Sequence, residues 1–207
     1  MFSAVQGLLQ RYLECGLYPS SSIDVLSHYL CLMHKWNYTY NLTAITDPQK
    51  MVIYHLLDSL AISPYIMGES IIDVGSGAGL PGIPLAIVFP DKQVTLLDSN
   101  SKKTRFLNQV KLELNLKRVE VVHNRAENYQ PLHCFDVVVT RAFSSIHAML
   151  LATKHLCCED GKFLAMKGVY PAEELSALPD GFAVESVHRL NIPDLDAERH
   201  LVCVKKG

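Results

Sequence analysis

The chain has 207 residues, of which 49% are hydrophobic and 19% charged, with a formal net charge of −2. That composition excludes a disordered chain, and the length suits one domain, or one domain with an appendage, able to bury a core. The near-neutral balance excludes a generally basic surface for nucleic acid, although a local basic patch suffices for RNA.

Phe2, Val5, Leu8, Leu9 and Leu13 recur at helical spacing and predict a packed first helix. Residues 1–6 lack the basic opening of a secretory signal. Ser20, Ser21 or Ser22 can cap a second helix with Ile23, Leu26, Tyr29, Leu30 and Met33 on one face. Asp47-Pro48 reads as an N-cap followed by proline in the first turn. The helix it opens carries Met51, Val52, Tyr54, His55, Leu56, Asp58, Ser59 and Leu60, and Pro64 and Gly68 end it. Residues 1–66 are therefore expected to form an N-terminal helical extension, and residues 67–207 a core that joins it in one compact unit.

From residue 71 short apolar runs alternate with helical stretches. Residues 71–74, 94–97, 119–122, 135–139 and 162–166 read as strands, and helices are expected near 81–88, 101–115 and 144–156. This alternation implies βαβ units, hence a mostly parallel, doubly wound sheet. Two further strand-like runs, 184–190 and 200–204, are joined by a loop with Pro193 and no long helix, which favours an antiparallel pair at the sheet edge. No run of about 18 apolar residues occurs, so no membrane span is expected.

The first strand runs into Asp73-Val74-Gly75-Ser76-Gly77-Ala78-Gly79-Leu80-Pro81-Gly82. Glycines at 75, 77, 79 and 82 remove Cβ atoms where backbone must turn sharply and approach a ligand. A helix follows, and its first N–H groups are expected to face the same crevice. A tight glycine turn without a ligand is the plain alternative, but the flanking strand and helix favour a binding loop centred on Gly75 and Gly77. Asp98 closes the second strand, about 20 residues on, where a carboxylate hydrogen-bonds a ribose hydroxyl. Ser99 beside it is expected to cap the next helix. A nicotinamide dinucleotide and S-adenosylmethionine both fit this much. The series Asp73-x-Gly75-x-Gly77-x-Gly79 and the antiparallel edge pair favour S-adenosylmethionine and a Rossmann-like methyltransferase fold.

Six cysteines, Cys15, Cys31, Cys134, Cys157, Cys158 and Cys203, form no C-x-x-C pair. Scattered thiols in apolar surroundings argue against a metal site and for reduced, buried cysteines, hence for the cytoplasm.

Further segments then fall into a known order: Trp36-Asn37, Asn41-Leu42-Thr43-Ala44-Ile45 and His55-Leu56-Leu57-Asp58-Ser59-Leu60 ahead of the glycine loop. After it come Leu96-Leu97-Asp98-Ser99, Lys102-Lys103, Arg105-Phe106-Leu107, Asn124-Arg125-Ala126-Glu127, Val139-Thr140-Arg141-Ala142-Phe143 and Met166-Lys167-Gly168. With these the chain resembles the ribosomal small subunit methyltransferase G family from about residue 35 to residue 168. The resemblance implies S-adenosylmethionine-dependent methylation of guanine N7 in 16S ribosomal RNA, at the position conventionally numbered 527. It also implies cofactor contacts at Gly75, Leu80, Ala126, Glu127 and Arg141. Thr140 stands where a serine is commoner, which keeps the hydroxyl.

Read physically, Ala126 offers room for an adenine and Glu127 an acceptor, although without the resemblance a solvated loop explains both. Arg141 ends the fourth strand and wants a carboxylate or phosphate, or else a structural ion pair. Lys167 ends the fifth strand, placed for RNA phosphate or for plain solvation. Lys102, Lys103 and Arg105 oppose the helix dipole, so they need RNA phosphate or solvation as their reason. Asn41, among Trp36, Tyr38 and Tyr40, is the expected substrate-facing residue. His55 and Asp58 share a helix face, but guanine N7 carries no proton at neutral pH, so no catalytic base is expected. The expected partners are 16S RNA or the small ribosomal subunit, with no membrane, no metal and a monomer by default. A methyltransferase for another RNA, a protein or a small molecule stays open, as do a nicotinamide-dependent oxidoreductase and a non-catalytic nucleotide-binding module.

Overall fold

The computed structural model describes residues 1–13, 21–141 and 143–207, so Cys15, Ser20 and Ala142 lie outside the described residues. Helices α1 (Phe2–Leu13) and α2 (Ser21–Tyr40) precede a three-part helical run of α3 (Pro48–Met51), a π-helical turn (Val52–Leu57) and α4 (Asp58–Leu60). Asp47 caps this run, its side chain accepting from the Lys50 N–H at 2.9 Å, with Pro48 in the first turn as the sequence predicts. The core follows as β1 (Ser70–Val74), α5 (Gly82–Val88), β2 (Gln93–Asp98), α6 (Ser101–Glu113), β3 (Val119–His123) and β4 (Phe135–Thr140). It ends with α7 (Ile146–Thr153), β5 (Cys157–Lys167), α8 (Ala172–Ser176), β6 (Phe182–Arg189) and β7 (His200–Lys206).

The sheet has seven strands in the order β3-β2-β1-β4-β5-β7-β6. The first five pair in parallel, and β7 enters antiparallel between β5 and β6. The order reverses between β1 and β4, the switch point at which a doubly wound sheet opens a crevice above its carboxyl ends.

Alternate strand residues divide the core into two layers. Ile71, Leu96, Val139, Leu164 and Leu201 pack with α5, α6 and the N-terminal helices. Ile72, Leu97, Val138, Phe163 and Val202 pack with α7. Val5, Leu9, Tyr29, Leu30 and Met51 belong to the first layer and are buried, so the N-terminal helices share a core with the sheet.

Two expectations are corrected. Asn100, not Ser99, caps α6, accepting from the Lys102 N–H at 2.9 Å, because Asp98 turns the chain one residue further by accepting from the Asn100 N–H at 2.8 Å. Cys134 and Cys158 are bridged, with Cα atoms 4.9 Å apart, while Cys31, Cys157 and Cys203 are free. Distance along the chain hid that pairing: β4 and β5 are parallel neighbours with Phe135 opposite Cys157, which brings the flanking cysteines together. The cysteines therefore give no argument for a reducing compartment. None of the described helices is long and apolar enough to cross a membrane.

Candidate functional site

The glycine loop leaves β1 through three left-handed glycines, Gly75 (φ 73°), Gly77 (φ 59°) and Gly79 (φ 92°), a path that side-chain-bearing residues rarely take. It is tied down on all sides. The N–H groups of Gly75 and Ser76 donate to the Leu97 carbonyl at 2.8 and 3.2 Å, and Gly77 N–H donates to Asp98 Oδ2 at 2.7 Å. Asp73, fully buried beneath, accepts from Gly82 N–H at 2.9 Å, and Ile83 N–H donates to the Gly79 carbonyl at 2.7 Å. The first donors of α5 are thus used internally, which corrects the expectation that they face the crevice. From the N-terminal side, Tyr29 donates to the Ala78 carbonyl at 2.6 Å.

Above the carboxyl ends of β1 and β2 lies a pocket of about 490 Å³, walled by Gly75, Gly77, Asp98, Asn124, Arg125, Ala126, Glu127 and Phe143, among others. Five of the residues singled out in the sequence (Gly75, Gly77, Asp98, Ala126 and Glu127) therefore meet at one site. Ala126 is buried at the start of a 3₁₀ turn, and Glu127 beside it is exposed. Leu80 is not in this wall. It is buried in the core under the loop, and its N–H bonds the Ser76 carbonyl at 3.0 Å. The chemistry fits an adenosyl group: backbone without Cβ atoms on one side, a carboxylate beside it, a small buried side chain and the Phe143 ring.

Arg141 lines a second pocket, of about 390 Å³, next along the sheet above β4 and β5. Its other walls are Ile45, Tyr54, His55, Asp58, Met166, Lys167, Gly168 and Arg199. Arg141 Nη1 lies 3.2 Å from Asp58 Oδ2, and Arg199 Nε lies 2.8 Å from Asp58 Oδ1. Asp58 is 3% exposed, while the two arginine side chains keep 29% and 22% of their surface. The π-helical turn presents Tyr54 and His55 here, and such turns are frequent at functional sites. His55 Nε2 bonds Thr43 Oγ1 at 2.9 Å. Burial, helped by the Arg141 charge, pulls the His55 imidazole down to about 4, so the ring is neutral at neutral pH.

Lys167 is neither solvated nor free. It pairs with Glu174 of α8 at 2.8 Å, and Glu174 also accepts from Ile146 N–H at 2.6 Å. Thr140 donates to the Val74 carbonyl at 2.9 Å and so fixes the end of β4 to β1. Asn41 is exposed, with φ 48°, at the end of α2, a position that asparagine tolerates better than most residues. Lys103 Nζ reaches the carbonyls of Asn41 and Leu42, both at 3.2 Å, which gives this lysine a structural reason to start α6. The sequence reading missed Tyr54 and Arg199 as site residues. Arg199 immediately precedes the last strand, and it reaches this pocket because that strand lies beside β5, an order that no local sequence signal carries.

Residues 22–202 match the family described as rRNA small subunit methyltransferase G. The chain is 54% identical over 198 residues to the ribosomal RNA small subunit methyltransferase G of Chromobacterium violaceum, covering 95% of this chain and 93% of that one. It is 55% identical over 179 residues to the protein of the same name from Pseudomonas aeruginosa, covering 86% and 84%. Solved structures with the same fold include a coclaurine N-methyltransferase bound to N-methylheliamine and SAH. That one has TM-score 0.58 and 14% identity, over 91% of this chain and 74% of that one. Another is a precorrin-6y C5,15-methyltransferase from Geobacter metallireducens, with TM-score 0.54 and 14% identity, over 72% and 87%. At such identities they bear on the fold alone, a Rossmann-like methyltransferase sheet.

Proposed function

Because the chain belongs to the rRNA small subunit methyltransferase G family, we propose that it methylates N7 of a guanine in 16S ribosomal RNA, at the position conventionally numbered 527. Family membership makes it a methyltransferase that uses S-adenosylmethionine. The observation that carries the reading in this chain is the pair of adjacent pockets at the carboxyl ends of the strands. One is built on the glycine loop, and the other is lined by arginines. Both have volumes usual for small-ligand sites.

We assign Gly75 and Gly77 to the cofactor's close backbone approach, Asp98 to its ribose, and Ala126 and Glu127 to its adenine. Leu80 supports the loop from the core, and Arg141 takes the cofactor's carboxylate from the neighbouring pocket. S-adenosylmethionine supplies an activated methyl group on a sulfonium. The residues around it have to align the acceptor and exclude water. N7 of guanine offers a lone pair at neutral pH, so the transfer needs no base, and a neutral His55 suits that requirement. Ile45, Tyr54, Met166 and Gly168 line a pocket in which we place a purine taken out of its stack. Asn41 is exposed, two residues before the Thr43 that bonds His55, and we assign it to the RNA substrate. We assign Lys167 to the RNA strand, where a phosphate replaces Glu174 as its partner. The enzyme then works in the cytoplasm, on the RNA of the small subunit.

The test uses tritiated S-adenosylmethionine and small subunits from cells lacking the activity. Label recovered as 7-methylguanosine in 16S RNA is the expected result. Cofactor binding without label in that RNA overturns the substrate assignment and keeps the fold and cofactor.

A further inference from the structure

Asp58 holds two guanidinium groups at once. One directly follows β4 and the other directly precedes β7, 83 and 141 residues away in the chain. The carboxylate is buried, and both arginine side chains remain partly open and line the same pocket. A buried ion pair is a poor way to gain stability, since desolvation offsets most of the attraction. Stapling the helical run to the sheet also needs only one arginine, and it does not need either of them to face a cavity. The charges make a different point. Two guanidiniums on one carboxylate leave one positive charge in excess. His55 adds none, and Lys167 is balanced by Glu174. Each guanidinium also has five N–H donors. Besides Asp58, Arg141 Nη1 meets the Tyr54 carbonyl at 3.4 Å and Arg199 Nη1 the Glu198 carbonyl at 2.8 Å, and among the described residues these partners do not exhaust the donors.

We propose that Asp58 is a positioning residue: it sets the planes of Arg141 and Arg199 so that they grip anionic oxygens in this pocket. With Arg141 assigned to the cofactor, the oxygens are those of its carboxylate; a phosphodiester of the RNA strand offers the same chemistry, and the test tells the two apart. Planar forks held at a fixed angle match either oxyanion in paired hydrogen bonds, and a free arginine would have to be ordered on binding. The proposal rests on the proposed function for the identity of these two ligands.

Asp58→Asn keeps the shape of the side chain but turns a donor toward one of the two arginines. The full-length variant is compared with the wild type in its affinity for S-adenosylmethionine and for decarboxylated S-adenosylmethionine, by calorimetry. Its KM for the 16S RNA substrate is measured over a range of salt. The expected loss is about tenfold, as for one charge-assisted hydrogen bond. A loss toward S-adenosylmethionine that is absent with the decarboxylated form supports the clamp with the cofactor carboxylate as its ligand. A raised KM for RNA with a shallower salt dependence supports it with a phosphodiester as its ligand. A folded variant with neither change overturns it. Equal losses for both cofactor forms, with kcat falling and KM for RNA unmoved, indicate a structural staple and also overturn it. If Asp58→Asn does not fold, Arg199→Gln leaves the Asp58–Arg141 pair in place. That variant should show one of the same two losses, and wild-type behaviour overturns the proposal. A wild-type protein that binds cofactor but methylates no 16S RNA refutes the substrate reading instead, and the two cofactor affinities then decide the clamp alone.

Discussion

The phenol of Tyr29, in the middle of α2, donates to the Ala78 carbonyl in the glycine loop at 2.6 Å, across 49 residues of chain. Tyr29 is fully buried, and burial pushes its phenol well above its ordinary pKa, so it acts only as a neutral donor. The N-terminal helices therefore do more than cover one face of the sheet. One of them fixes a carbonyl in the loop assigned to the cofactor. Tyr29→Phe keeps the packing and leaves that buried carbonyl without its donor, a loss of about 1–3 kcal/mol. Urea unfolding should register it. Calorimetry should show a severalfold weaker affinity for S-adenosylmethionine, because the loop is less constrained. Lost stability with unchanged affinity would mean that the loop keeps its shape without Tyr29.

Asp98 has two roles to separate. One oxygen accepts from Gly77 N–H and the other from Asn100 N–H, so the carboxylate shapes the loop before any ribose arrives. Asp98→Ala removes both contacts and the ribose acceptor, and cofactor affinity should fall about tenfold or more, the range for hydrogen bonds to a charged group. Asp98→Asn retains one acceptor and should fall less. Equal affinities for the wild type and Asp98→Ala would remove the ribose assignment.

The glycines of the loop are there for different reasons, and substitution should tell them apart. A Cβ at Gly82 would stand 2.3 Å from Leu96 Cδ2 and 2.7 Å from Asp73 Oδ2, so Gly82→Ala collides with the protein itself. A Cβ at Gly77 meets nothing closer than the Gly75 carbonyl at 3.9 Å, so the protein leaves room there and only the left-handed φ resists. Gly77→Ala should cost about 1–2 kcal/mol of stability, the usual penalty of that conformation, and a larger share of cofactor affinity. Gly82→Ala should lose more stability than that. If Gly77→Ala binds S-adenosylmethionine as tightly as the wild type, the cofactor does not lie against that residue.

These contrasts also show why part of the site could be read from the sequence. The strand, the glycines and Asp98 lie within one βαβ unit, and their spacing alone places them in one crevice. Gly75, Gly77 and Asp98 duly share a pocket. Arg199 meets Asp58 only because β7 runs back beside β5, and Cys134 meets Cys158 only because β4 and β5 are neighbours. Pairings of that kind depend on strand order, which hydrophobic periodicity does not encode. Lys167 shows a third limit. Its place at the end of β5 was legible, but its partner sits on α8, a helix of five residues too short to leave a periodic signature.

Asp73 gives the fold a pH dependence of unusual sign. Burial pushes its carboxyl up to about 7, against the pull of Gly82 N–H and Ser76, and Oδ1 has no hydrogen-bond partner among the described residues. Its folded pKa lies above the unfolded value of about 4, so between those values the folded protein binds the extra proton. Stability from this group is present at low pH and is lost as pH rises toward 7. His55 acts oppositely: its folded pKa of about 4 lies below the unfolded value of about 6.5, so its contribution grows as pH rises through that window. The two nearly cancel in the wild type, which should be flat from about pH 4.5 to 6.5 as far as these groups decide. Asp73→Asn is neutral throughout and can still accept from Gly82 N–H. It leaves the His55 slope exposed, at most about 1.4 kcal/mol per pH unit. Urea midpoints across that range should therefore rise with pH in the variant and stay level in the wild type. Parallel profiles would mean that Asp73 keeps its charge in the folded protein.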